Sequence, residues 1–83
     1  MYKIFILAKA QKDLDAFPTG VFKQIKNKIF ILSQNPRPSG CLKLTAEEGY
    51  RLRAGNYRIL YRIDDKKKVI YIYRIKHRKE VYR

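Results

Sequence analysis

The chain is 83 residues long and carries twenty Lys and Arg against seven Asp and Glu, a formal net charge of +13. That length supports one domain around one modest core, and an apolar and aromatic share of 46% excludes a disordered chain. No apolar run reaches the roughly 20 residues of a membrane-spanning helix, and the single cysteine, Cys41, leaves neither an internal disulfide nor a cysteine-based metal site.

In chain order, Met1–Ala8 contains "YKIFILA" and reads as a first strand with apolar residues on both faces, which predicts a central place in a sheet. Lys9–Phe17 is a short helix stopped by Pro18. A second helix follows, with Thr19 as its cap. Its apolar stripe is Val21, Phe22, Ile25, Ile29 and Leu32, at three- and four-residue steps. "NPRPSG" at Asn35–Gly40 ends it in a loop. Cys41–Leu44 is a brief extended piece.

From Tyr50 the period changes to two. Tyr50, Leu52 and Ala54 alternate with Arg51 and Arg53, and "AGN" makes a tight turn in which Gly55 and Asn56 both tolerate positive φ. Tyr57, Ile59, Tyr61 and Ile63 then alternate with Arg58, Leu60 and Arg62. After a turn at Asp64–Lys67, Val69, Tyr71, Tyr73 and Ile75 alternate with Ile70, Ile72, Arg74 and Lys76. The expected fold is a two-layer α+β domain spanning residues 1–83, of order β-α-α-β-β-β, with a helical hairpin packed on a mainly antiparallel sheet. The tyrosines of the alternating runs are read as core.

The charge is uneven, with +9 from Gly49 onward and +4 before it. A folded domain that repels itself this strongly points to a polyanionic partner: nucleic acid first, then an acidic protein or an anionic membrane surface. If the meander is in register, Arg51, Arg53, Arg58, Arg62 and Arg74 share one sheet face. Planar guanidinium groups there suit bidentate phosphate contacts. Lys66–Lys68 read as a solvated turn, and the acids suggest no metal site.

"GYRLRAGNYRILYRID" and the closing "RIKHRKEVYR" resemble the RelE family of bacterial toxins, the toxin half of type II toxin–antitoxin pairs, and the likeness extends over nearly the whole chain. The resemblance implies a ribosome-dependent mRNA endonuclease that needs no metal or other cofactor. In such an enzyme the ribose 2′-OH attacks the adjacent phosphate. Carried over by position, it assigns catalytic roles to Arg51, Arg53, Arg58 and Arg78, and substrate stacking to Tyr82. Some members have lysine where Arg51 and Arg53 stand, and arginine does not serve as a base. His77, the only histidine, is therefore the candidate acid or base. Lys76 and Lys79 join Arg62 and Arg74 as candidate RNA-binding residues. The implied partners are a cognate antitoxin and a ribosome with bound mRNA, in the cytoplasm, with which a lone cysteine is consistent. Two alternatives stay open: the related ParE branch, which inhibits DNA gyrase, and a nucleic-acid-binding module without catalysis.

Overall fold

A computed structural model describes residues 1–81, with side chains described for residues 1–79. It contains β1 (Lys3–Ile6), α1 (Ala8–Asp15), α2 (Thr19–Gln34), β2 (Leu42–Lys43), β3 (Tyr50–Ala54), β4 (Tyr57–Asp64), β5 (Val69–His77) and a one-turn α3 (Arg78–Val81). The strands form one sheet in the order β1-β5-β4-β3-β2. β1 runs parallel to β5, and every other pairing is antiparallel. The α+β order expected from the sequence is the one observed, with β2 and α3 added as short pieces.

The core lies between one face of this sheet and the two long helices. Ala10 and Leu14 of α1 and Ile25, Ile29 and Leu32 of α2 meet Leu52, Ala54, Ile59, Tyr61, Ile70, Ile72 and Ile75. The stripe on α2 therefore packs as its spacing predicts, with Val21 and Phe22 partly buried at its start. Thr19 does not cap α2. It is the first helical residue, and Pro18 precedes it in extended conformation, a position where the missing proline N–H costs the helix nothing.

Two expectations need correction. β1 is an edge strand and not a central one. Its second apolar face is Phe5, which stacks on Tyr71 of β5 at 5.9 Å and stays 50% exposed. The "AGN" turn forms as expected, with Gly55 at φ +61°, the positive value a type II′ hairpin requires at its first central residue. The β4–β5 register also slips between Leu60 and Tyr61. Leu60 faces Arg74 and Tyr61 faces Ile72, so Tyr73 is an extra residue in β5. The alternation of β5 changes phase there. Ile70, Ile72 and Ile75 all reach the core, while Tyr71 and Tyr73 do not join it.

β5 is longer than β1, so its second half has no strand beside it on that edge. α1 fills the place. The Asp13 carboxylate accepts the Ile75 backbone N–H at 2.9 Å and two bonds from the Arg74 guanidinium at 2.9 and 3.2 Å. Burial works against the charge on Asp13. The Arg74 bonds, the Ile75 amide and the nearby Lys76 outweigh it and hold the carboxyl below the usual carboxylate range. At the other end of the sheet, Arg37 grips Asp65 through both nitrogens and bonds the Tyr50 hydroxyl, and Tyr2 donates to the same carboxylate. This clasp ties the loop after α2 to the β4–β5 turn.

Candidate nucleic-acid interface

The sheet face turned away from the helices is built in rows, because residues opposite each other in neighbouring strands point the same way. Arg53 faces Arg58, and Arg58 faces Lys76, so three cations stand side by side across β3, β4 and β5. The next row is Leu42, Arg51, Leu60 and Arg74. Beyond it come Arg62, Tyr71 and Phe5. Leu60 is buried on this side although it takes no part in the helix-side core. The face thus has an apolar floor with charge around it.

Arg58 is the most enclosed of these cations, only 5% exposed. Its Nη1 donates to the Tyr57 carbonyl at 2.9 Å and to the Gly55 carbonyl at 3.0 Å. Among the described residues its hydrogen bonds go to carbonyl oxygens and to no carboxylate. Like charges directly opposite on a sheet repel, so an anion laid across Arg53, Arg58 and Lys76 would relieve all three at once. Arg62 lies outward with its guanidinium 4.7 Å from the centre of the Tyr73 ring.

α3 brings the end of the described chain to the same end of the sheet. The Arg78 amide donates to the Asn56 carbonyl in the β3–β4 turn at 2.8 Å. Arg78 and Lys79 are exposed there. His77 shares that end but not that face. It lies opposite Tyr57, whose ring it meets edge-on at 5.3 Å, and Tyr57 in turn packs on Phe17 from the helix side. The His77 Nδ1 accepts the Lys79 amide at 3.3 Å. Tyr82 lies outside the described residues.

The structure therefore brings Arg51, Arg53, Arg58, Arg62, Arg74 and Lys76 onto one face. It sets Arg78 and Lys79 at the end of that face and His77 behind it. Two features escaped sequence reasoning. One is Leu60 as a buried floor, invisible because a leucine in an alternating run looks like core. The other is a cleft of about 660 Å³ beside the open part of the β3 edge. Lys28, Arg51 and Arg53 line it together with Leu42 and Gly40. Only assembly of α2, the loop and β3 creates it.

Residues 4–82 match the family described as the ParE toxin of the type II toxin–antitoxin system, parDE. The toxin RelG of Mycobacterium tuberculosis (strain ATCC 25618 / H37Rv) is 32% identical over 84 residues, which cover 99% of this chain and 97% of that protein. Among solved structures, the toxin–antitoxin complex RelBE2 of M. tuberculosis matches with a TM-score of 0.82 at 32% identity, covering 92% of this chain and 96% of that one. The archaeal RelE–RelB complex of Pyrococcus horikoshii OT3 matches with a TM-score of 0.79 at 30% identity, over 93% and 94% of the two chains.

Proposed function

The chain belongs to the ParE toxin family, within the RelE/ParE superfamily of type II toxin–antitoxin toxins, and we propose that it stops translation by cutting ribosome-bound mRNA on its basic sheet face. The observation that carries this reading is the row Arg53, Arg58 and Lys76, three cations side by side with no carboxylate among the described residues bonded to the central one. Such a row is matched to a phosphodiester that gains negative charge as it reacts.

In the reaction, the 2′-oxygen forms a bond to the adjacent phosphorus and the bond from phosphorus to the 5′-oxygen breaks. The 2′-OH gives its proton to a base, and the departing 5′-oxygen receives one from an acid. The product is a 2′,3′-cyclic phosphate. Arg53, Arg58 and Lys76 hold the phosphate and stabilise the pentacoordinate phosphorane, and donors aimed at developing charge are typically worth about 10²–10³ in rate each. Arg51 extends this contact toward β2. Arg62, Arg74 and Lys79 guide the flanking strand, and Arg78 stands where the 5′-oxygen leaves. Tyr82 stacks on a base. His77 transfers protons at the rim, which requires the ribose to curl over the end of β5.

Purified ribosomes programmed with a defined message provide the test. Cleavage is expected in their presence and is expected to fall about a hundredfold or more in Arg53→Ala. An intact message alongside arrested synthesis would refute the reading. His77→Ala should slow cutting about a hundredfold with mRNA affinity retained. An unchanged rate would assign His77 to packing on Tyr57 alone.

A second reading draws on the family match itself, whose description is that of a ParE toxin. It makes the chain an inhibitor of DNA gyrase, and inhibition of supercoiling by the purified chain would favour it. Under either reading the partner is a cognate antitoxin, as in the M. tuberculosis and P. horikoshii complexes. An acidic segment laid over the rows described above would neutralise them, so coexpression should yield a complex that loosens with salt.

A further inference from the structure

A cleft of about 380 Å³ lies between Leu7 and the first residues of α1, Ala8 and Lys9, on one side and the side chains of Arg62, Tyr73 and Arg74 on the other. It is set off from the row Arg53, Arg58 and Lys76. Arg62 follows Arg58 by four residues on β4, about 13 Å along the strand. We propose that this cleft is a second nucleotide subsite, which takes a base and phosphate of the same single-stranded RNA a few nucleotides from the bond that is cut. The proposal rests on the RNA-cutting reading and adds to it where the strand runs.

The chemistry of the walls argues for a nucleotide. The bulge turns Tyr73 out of the core alternation, and its ring already carries a planar cation, the Arg62 guanidinium at 4.7 Å. A base can take up the same stacking, since aromatic and guanidinium planes both accept any base. Lys9 and Arg62 are exposed cations at the mouth. The Arg74 guanidinium is held in place by Asp13. The buried Tyr73 hydroxyl lies toward Gly49 and the Glu47 carboxylate, and burial first and that carboxylate next push its pKa up, so what Tyr73 offers the cleft is its ring. Leu7 and Ala8 supply the apolar wall that a base edge needs. An apolar side chain of a protein partner would use that wall but not the cations.

Fluorescein-labelled 2′-O-methyl oligouridylates, which cannot be cut because the attacking hydroxyl is blocked, measure the subsite directly. The unaltered chain should bind the six-nucleotide probe at least about tenfold more tightly than the two-nucleotide one. Arg62→Ala and Lys9→Ala should each erase about three- to tenfold of that gain. Each should also lower the slope of log K against log salt by about 0.7, the effect of one lost phosphate contact on a single strand. Arg53→Ala should weaken both probes and keep the gain. The subsite is refuted if both cleft variants keep the full gain, or if six nucleotides bind no better than two. It is equally refuted if these variants weaken capture of the coexpressed antitoxin and leave RNA binding untouched. Failure of the RNA-cutting reading shows itself elsewhere, as an intact message on ribosomes while the gain with probe length persists.

Discussion

Two glycines show how single residues constrain the face. Gly49 has φ +131°, and a Cβ there would lie 2.8 Å from the Tyr61 carbonyl and 3.3 Å from the Tyr73 hydroxyl. The first neighbour is β4 backbone and cannot swing away. Gly49→Ala should therefore cost about 3 kcal/mol, combining backbone strain with overpacking, and lower the Tm of this small domain by about 12 °C or more. Gly55 also has positive φ, but a Cβ there meets the far end of the flexible Gln24 side chain. Gly55→Ala should cost about 1–2 kcal/mol, from φ alone. Thermal melts of the two variants side by side check the order, and equal losses would place the strain elsewhere. Positive φ at Gly55 was legible in "AGN", because a two-residue hairpin demands it. The tightness at Gly49 was not, because it comes from the Tyr61 carbonyl of β4 and the Tyr73 hydroxyl reaching the same spot, which only the folded sheet brings together.

Between elements, the decisive contact is α1 against the uncovered half of β5. Asp13 receives the Ile75 amide and the Arg74 guanidinium in one carboxylate. Asp13→Asn should lower stability by about 2 kcal/mol at neutral pH, since hydrogen bonds to charged groups are worth about 1.5–3 kcal/mol. The folded pKa of Asp13 lies below its unfolded value. The contribution is thus full above the unfolded carboxylate value of about 3.9 and disappears as pH falls through the folded one. Denaturant melts should show the gap between variant and unaltered chain closing below about pH 4, and a gap independent of pH would mean that Asp13 acts by shape alone. The helices and the meander were legible because their periods, 3.6 and 2, are local. The phase of β5 was misread at Tyr71 and Tyr73, although the spacing Ile70, Ile72, Ile75 carried the signal of an inserted residue. The helix-side position of His77 was also legible, since it follows the core residue Ile75 by two. The edge position of β1 depends on a pairing between residues 3–6 and 69–72, and nothing local encodes it.

For the molecule as a whole, +13 on a body with a radius of gyration of 11.8 Å sets function against stability. The Debye length is about 10 Å at 0.1 M salt and about 3 Å at 1 M, so added salt shortens the reach of repulsion from the size of the molecule to the spacing of neighbouring side chains. The free chain should gain stability across that range, and under the proposed mRNA-cutting reading its affinity for RNA should fall over the same range. The same opposition can be read at one position. Arg53 is exposed and stands beside Arg58, with Lys76 next in the row. Removing one charge from such a row relieves a like-charge pair worth about 0.2–1 kcal/mol. Arg53→Gln should accordingly raise Tm by about 1–5 °C at low salt, the gain should shrink at high salt, and message cleavage should be lost in the same variant. Calorimetry at two salt concentrations, with cleavage measured on the same preparations, tests the link. A variant that melts lower, or one that melts higher and still cuts, would show that the row is not held in tension for an anion. The expected pairing of higher stability with lost cleavage follows if the proposed reading holds, since cations that receive a phosphate there repel one another most when it is absent.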